Sequence, residues 1–236
     1  MCGRYRLTAK ERYLAEHFEI EDELNWTARY NVAPTQQVPI VRKDARRPGG
    51  RWSLVRWGLI PYWSKDAGMG AMTINAVAET AAEKPAFREP MKRQRCLVPA
   101  DGFYEWQALA RRQKQPYSIG MEDGSVFAFA GLWDRWRTSS GNVVESCSIL
   151  TTQANSLLAG IHHRMPVILR KEDYELWLDP AMTDPARVQG LLKPFDPELM
   201  KKYPVSTYVN SANNEGEECA REAPEATSGP MAPTLF

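Results

Sequence analysis

The apolar residues of this chain come in short runs cut by turn residues, and this limits the fold more than any other feature. Residues 38–42, 52–57, 95–99, 102–107, 115–121, 126–132 and 143–151 are rich in β-branched and aromatic side chains and end at Gly, Pro, Asp or Asn. Runs of that length suit strands and are too short for core helices. The clearest turns are the basic Arg-Arg-Pro-Gly-Gly-Arg of 46–51, Glu122-Asp123-Gly124, and 139–142. Between the runs, helical spacing is predicted over 8–18, where Tyr13, Leu14 and Phe18 come after a Thr8 cap, and over 153–159, 171–178 and 185–192. Residues 73–80 are expected to pass into a helix, with Pro85 and Pro90 breaking the next stretch into short turns, and 203–209 reads as a last strand. The pattern predicts an α+β fold: a single β-rich domain over 1–214, with mostly antiparallel strands in a barrel-like core and short peripheral helices. From Glu215 to 236 Gly, Glu, Ala, Pro, Ser and Thr dominate, and a disordered tail is expected.

Composition narrows the function by exclusion. With 30 basic and 29 acidic residues the net charge is +1, so no global field draws the chain to nucleic acid and any such contact needs a local patch. The four cysteines, Cys2, Cys96, Cys147 and Cys219, form no CxxC pair and no metal-ligand spacing, so reduced thiols and no metal are expected. No apolar stretch reaches the roughly 18 residues of a membrane span, and the first residues are too charged for a secretory signal, which predicts an intracellular, cytoplasmic protein.

Met-Cys-Gly-Arg-Tyr at the start is the most reactive candidate. Removal of Met1 would leave Cys2 with a free α-amine beside its thiol. The amine has a pKa of about 7.7 to 8 and the thiol about 8.5. An aldehyde could form a Schiff base with the amine, after which intramolecular addition of the thiol closes a thiazolidine. Read alone, the same residues are also an ordinary start followed by two small side chains.

Other candidates lie along the chain. Glu105, between Tyr104 and Trp106, is expected to be partly desolvated, which raises its pKa and suits proton transfer. Within Ile161-His162-His163-Arg164-Met165-Pro166, an extended backbone would put His162 and Arg164 on one side and His163 on the other. Trp63, in the aromatic loop 57–65, reads either as a base-stacking ring or as a hydrophobic loop folded onto the core; a stacked base contributes about 1 to 3 kcal/mol. Lys84, Arg88 and Lys92 recur every four residues, as a phosphate-binding face or a solvated one.

Seven blocks occur in one order: Cys2-Gly3-Arg4-Tyr5, Arg29-Tyr30-Asn31-Val32-Ala33-Pro34, Trp57-Gly58-Leu59-Ile60-Pro61, Asn75-Ala76, Glu79-Thr80, Pro99-Ala100-Asp101-Gly102-Phe103-Tyr104-Glu105-Trp106 and Ile161-His162-His163-Arg164-Met165-Pro166. Together they resemble the SOS response-associated peptidase (SRAP) family of abasic-site processing proteins, from Cys2 to about Asn213. The resemblance implies a protein that binds single-stranded DNA and crosslinks Cys2 to the aldehyde of a ring-opened abasic site. It implies Asn75 as the residue that orients the sugar, and Glu105 and His162 as the acid/base pair. Arg4, Asn31 and Arg164 would contact the DNA backbone, Trp63 would abut the bases, and Pro34 joins this DNA-binding set. The family's usual arginine after Asn-Ala is Val77 here, so a phosphate contact is missing, with Lys84 or Arg88 as candidate substitutes. No cofactor is implied, and a monomer is expected. Two further readings stand beside it: an N-terminal-nucleophile cysteine amidohydrolase, and a single-strand binding module without chemistry.

Overall fold

The alternating runs pair with one another, and two of the pairings close the sheet. The computed structural model describes residues 2–44, 47–110 and 113–225. In chain order the elements are β1 (Tyr5–Leu7), α1 (Glu11–Phe18), β2 (Arg29–Val32), β3 (Gln37–Asp44), β4 (Arg47–Trp57), β5 (Asn75–Val77), α2 (Arg88–Arg93), β6 (Arg95–Ala100), β7 (Gly102–Ala108), β8 (Lys114–Met121), β9 (Phe127–Arg137), β10 (Val143–Gln153), β11 (Arg164–Pro166), β12 (Ile168–Leu169), α3 (Tyr174–Leu178), α4 (Ala186–Gln189) and β13 (Met200–Pro204). The fold is a single α+β domain, strand-rich with short helices, as the pattern predicts.

Strands β10, β4, β3, β6 and β9 lie side by side in that order, and β9 pairs back onto β10, so five strands close into a barrel. Closure leaves no unpaired edge within the ring. Most of its pairings are antiparallel; β4 and β10 run parallel through Arg56 opposite Ser146 and Trp57 opposite Cys147. All of β6 is buried, because one face fills the barrel and the other lies under α3, whose Trp177 donates from Nε1 to the Cys96 carbonyl at 2.9 Å. A second sheet, ordered β13-β8-β7-β1-β2, packs on the barrel through Tyr5, which meets Trp57 and Phe129 edge-on, and through Phe103 against Phe129.

This arrangement fixes the chain start. β1 is only three residues long, yet it is held on both sides, by β2 and by β7. Asp101, at the corner between β6 and β7, accepts from Thr8 N–H, Thr8 Oγ1, Ala9 N–H and Arg6 Nε. That takes Thr8 away from the helix: α1 starts at Glu11, and Thr8 is not its cap.

Tertiary context changed several other expectations. Residues 47–51 of the expected basic turn are strand, with Arg51 opposite Arg42, and Arg46 lies outside the described residues. The helix expected from 73–80 is the strand β5, whose backbone groups are taken up by β10. Residues 153–159 form turns, where Asn155 Oδ1 accepts the Leu158 N–H and competes with helical bonding. The last strand ends at Pro204 and is followed by a 3-10 turn, Thr207–Asn210. The tail boundary expected at 215 falls too early. Glu215 accepts from Arg29 Nε and from the N–H groups of Tyr30 and Asn31, Val205 bridges Glu222, and Cys219 is buried. Residues 226–236 of the expected tail lie outside the described residues. No described helix is long and apolar enough to cross a membrane.

Candidate active site

Cys2 precedes β1 and is fully buried, its thiol donating to the Arg4 carbonyl at 3.8 Å. The β1–β7 register pairs Tyr5 with Phe103, and Tyr104 N–H donates to Arg4 C=O at 3.0 Å. Continued toward the chain start, that register sets Gly3 opposite Glu105 and Cys2 one residue on, opposite Trp106. Burial pushes the Cys2 thiol far above its ordinary value, and the neighbouring Glu105 carboxylate pushes it further. The thiol is therefore held protonated. Glu105 is 4% exposed, and burial raises its pKa against the opposing charge of the chain's amino terminus.

His162 joins the same group. Gln107, at the far end of β7, donates to Gly160 C=O at 3.1 Å and ties that strand to the 160–163 turn. The Nδ1 atom of His162 lies 2.9 Å from the Arg164 N–H and 3.1 Å from the Arg164 carbonyl. An N–H can only donate, so in the neutral ring Nδ1 accepts and the proton sits on Nε2. When the ring is cationic, Nδ1–H has the carbonyl of the same residue to donate to. One backbone segment thus serves both protonation states. Burial, then the charge of the amino terminus, lowers the His162 pKa below its usual value, so it is neutral at pH 7. The amino-terminal charge is among the causes of the shifts at Cys2, Glu105 and His162. The extended alternation predicted for the two histidines is not followed: the ring of His163 stacks on that of His162 with centroids 4.4 Å apart.

Asn75 opens β5 opposite Ile149. Its Nδ2 donates to the Ile149 carbonyl at 3.4 Å, which fixes the amide's orientation, and its Oδ1 is buried with no partner among the described residues. A buried acceptor left unpaired costs about 1 to 3 kcal/mol, so such a group fits a donor supplied by a ligand.

The residues expected to touch DNA divide into four sets. Trp63 and Tyr62 are exposed, at 46% and 60%. Their loop is held by Asp134, which accepts the Tyr62 N–H, and by Trp136, whose Nε1 donates to Ser64 C=O. It starts at Gly58, where φ is +120° and a Cβ would sit 2.5 Å from the Gly70 carbonyl oxygen, so only glycine fits. Pro34 is half-buried, before Thr35 at φ 75°. Lys84 and Arg88 are exposed in the turns before and at the start of α2, with no bond to the cluster around Cys2.

Arg4, Asn31 and Arg164 instead hold protein groups. Asn31 is fully buried; its Nδ2 faces the carbonyls of Ser211 and Asn214 at 2.9 Å and of Val209 at 3.3 Å, and its Oδ1 accepts from Arg4 Nη1 at 2.9 Å. Arg4 also donates to the carbonyls of Val209 and Asn210. Direct DNA contact by Asn31, as the resemblance implies, does not fit this packing. Arg164 grips Glu79 bidentately at 2.8 and 2.7 Å and donates to Thr151 C=O. Glu79 had a signal, since Glu79-Thr80 is one of the seven blocks, although its partner could not be read from spacing. Thr151 and the 209–215 segment had none. No group of three or more His, Cys, Asp or Glu among the described residues could hold a metal.

A family model described as SOS response associated peptidase (SRAP) matches residues 1–212. The chain belongs to the SRAP family. Among the SRAP chain's relatives, the abasic site processing protein YoqW of Bacillus subtilis (strain 168) is 44% identical over 221 residues, covering 92% of this chain and 98% of that protein. The abasic site processing protein HMCES of Rattus norvegicus is 32% identical, covering 82% of this chain and 65% of that protein. A crystal structure of a protein from Bacteroides thetaiotaomicron superposes with a TM-score of 0.84 at 33% identity, covering 94% of this chain and all of that one.

Proposed function

We propose that the protein binds single-stranded DNA and joins Cys2 covalently to the aldehyde of an abasic site. The observation that carries the reading is a buried Cys2 thiol beside the buried Glu105 carboxyl, at the start of an SRAP-family chain whose relatives are named abasic site processing proteins.

Once Met1 is removed, the neutral Cys2 amine adds to the sugar's C1′ aldehyde. A proton donated to the carbinolamine oxygen releases one water and leaves the imine. Sulfur then adds to C1′, its proton passes to the imine nitrogen, and the thiazolidine closes. Glu105, with its raised pKa, is suited to carry these protons. Neutral His162 holds a proton on Nε2 for ring opening of the sugar. Asn75 Oδ1 accepts a sugar hydroxyl. The imine also acidifies the C2′ proton, so β-elimination competes until the thiol closes the ring. Trp63 stacks on a base, and a backbone phosphate competes with Glu79 for Arg164. Removal of Met1 by the protein itself, a monomeric state and a cytoplasmic, DNA-associated location belong to the same reading. An amidohydrolase would need donors for an oxyanion, and the unpaired atom of Asn75 is an acceptor.

The test is a denaturing gel of the protein mixed with an oligonucleotide holding one abasic site. A shifted band is expected for the parent, none for Cys2→Ala, and slower formation for Glu105→Gln and His162→Ala. A band that persists in Cys2→Ala moves the chemistry to another residue and sinks the reading.

A further inference from the structure

A cavity of about 400 Å3 lies on the outer face of the barrel, lined by Lys43, Arg51, Arg93, Gln94, Trp133 and Arg135. Its origin is strand register. Arg51 stands opposite Arg42 across β3–β4, Arg135 stands opposite Glu145 across β9–β10, and Trp133 lies two residues before Arg135 on the same face. The Arg42 guanidinium stacks on the Trp133 ring at 4.1 Å from its centroid.

The charge here is not balanced. Arg42 and Arg135 share Glu145, and Lys43 meets Glu175. Arg93 has no carboxylate within ion-pair distance among the described residues. With Arg51 left aside, four cationic side chains, Lys43, Arg93 and Arg135 in the lining and Arg42 stacked on Trp133, meet three described carboxylates, Glu145, Glu175 and the Asp134 bonded to Gln94, an excess of one positive charge among the described residues. Arg42 is 5% exposed, and its Nε and Nη1 have no partner among the described residues. The guanidinium groups that line the cavity, those of Arg93 and Arg135 among them, are forked donors of the kind that an anion's oxygens satisfy.

The cavity is wired to the aromatic loop. Gln94 Nε2 donates to Asp134 Oδ1 at 3.4 Å, and the other oxygen of Asp134 accepts the Tyr62 N–H. Asp134 lies between Trp133 and Arg135 on β9, with its side chain on the opposite face. The loop bearing Trp63 and the basic cavity are therefore held by one stretch of strand.

We propose that this cavity binds a backbone phosphate of the nucleic-acid strand, several nucleotides from the lesion, with Arg93 and Arg135 as its accessible contacts. The identity of the ligand rests on the DNA-binding reading above; the site rests on the charge cluster. Phosphate there would extend the bound strand past Trp63 and make up for the cation that Val77 does not supply.

The test measures the salt dependence of binding to single strands of about five and about twenty nucleotides carrying a non-crosslinkable abasic analogue. Arg93→Gln/Arg135→Gln should weaken the long strand about tenfold at low salt and flatten its log–log slope by about 0.7, since one phosphate contact on a single strand contributes about 0.7. The short strand should bind the variant and the parent equally. Equal loss on both strands, or no loss on the long one, overturns the proposal. So does a deoxynucleoside monophosphate or inorganic phosphate that reduces the parent's long-strand affinity to the short-strand value, because the cavity would then be a small-molecule site. If the double variant fails to fold, Arg93→Gln alone should weaken the long strand and flatten its slope by a part of that 0.7, again with no effect on the short strand. Crosslinking of a short reactive strand by the parent checks the DNA-binding reading separately: without it that reading fails, while the length dependence still decides the cavity.

Discussion

Replacing Asn31 by alanine sets the packing of the chain start against the contact that its family position implies. The substitution removes the Arg4-to-Asn31 bond at 2.9 Å and the donors for the carbonyls of Ser211 and Asn214, with Val209 a weaker third acceptor at 3.3 Å. Two neutral bonds contribute about 1 kcal/mol each, and one to a charged group about 1.5 to 3. Arg4 keeps the Val209 and Asn210 carbonyls, so its charge is not abandoned and the lower end applies, for a total of about 3.5 kcal/mol. For a domain of this size, 1 kcal/mol shifts the midpoint by about 2 to 4 °C, so the melting temperature should fall by about 7 to 14 °C. Thermal unfolding by circular dichroism measures this. The salt slope of single-strand binding by the folded variant should stay as in the parent, because Asn31 is fully buried and its amide is taken up by protein groups. A melting temperature within about 2 °C of the parent, together with a flatter slope, would refute the reasoning and return Asn31 to the DNA-contact set.

Glu105→Gln should separate stability from chemistry. Burial raises the folded carboxyl's pKa above its ordinary 4.5, so between that value and the raised one the folded state holds more protons than the unfolded, and stability falls as pH rises. Glutamine escapes that cost: the variant should melt higher than the parent at pH 7, with the gap closing toward pH 4.5, while crosslinking slows. An equal melting temperature at pH 7, or a gap that widens in acid, contradicts this. His162 is neutral at pH 7 and its pKa lies below 6.5, so the parent's crosslinking rate should change as pH drops under 6.5, and His162→Ala should lack that limb of the profile. Val77 is 37% exposed and pairs with Thr151, whose carbonyl accepts from Arg164. Val77→Arg should steepen the single-strand salt slope by about 0.7, and an unchanged slope would show that no phosphate passes there.

Much of this protein was legible one residue at a time. Strand runs are local, because alternation and turn chemistry act over a few residues, so 38–42, 95–99, 102–107, 115–121 and 143–151 all fall within observed strands. Glu105 could be expected to be desolvated from its aromatic neighbours alone. Asn31 and Arg164 went the other way. The same polar side chain can meet a phosphate or a protein carbonyl, and only the fold brings Ser211, Asn214 and Glu79 within reach of them. The helix predicted at 73–80 failed for a related reason, since β10 supplied a ladder that local propensity could not foresee.

By itself, the sequence determined the strand-rich class and the ordered blocks, Cys2-Gly3-Arg4-Tyr5 first among them, that mark the family, because each is written in residue type and order. The tertiary structure decided that the five strands close, that β1 is clamped so Cys2 is buried beside Glu105, and that a basic cavity lies outside the barrel. Those outcomes depend on register between strands far apart in the chain, where a shift of one residue would turn every side chain to the opposite face.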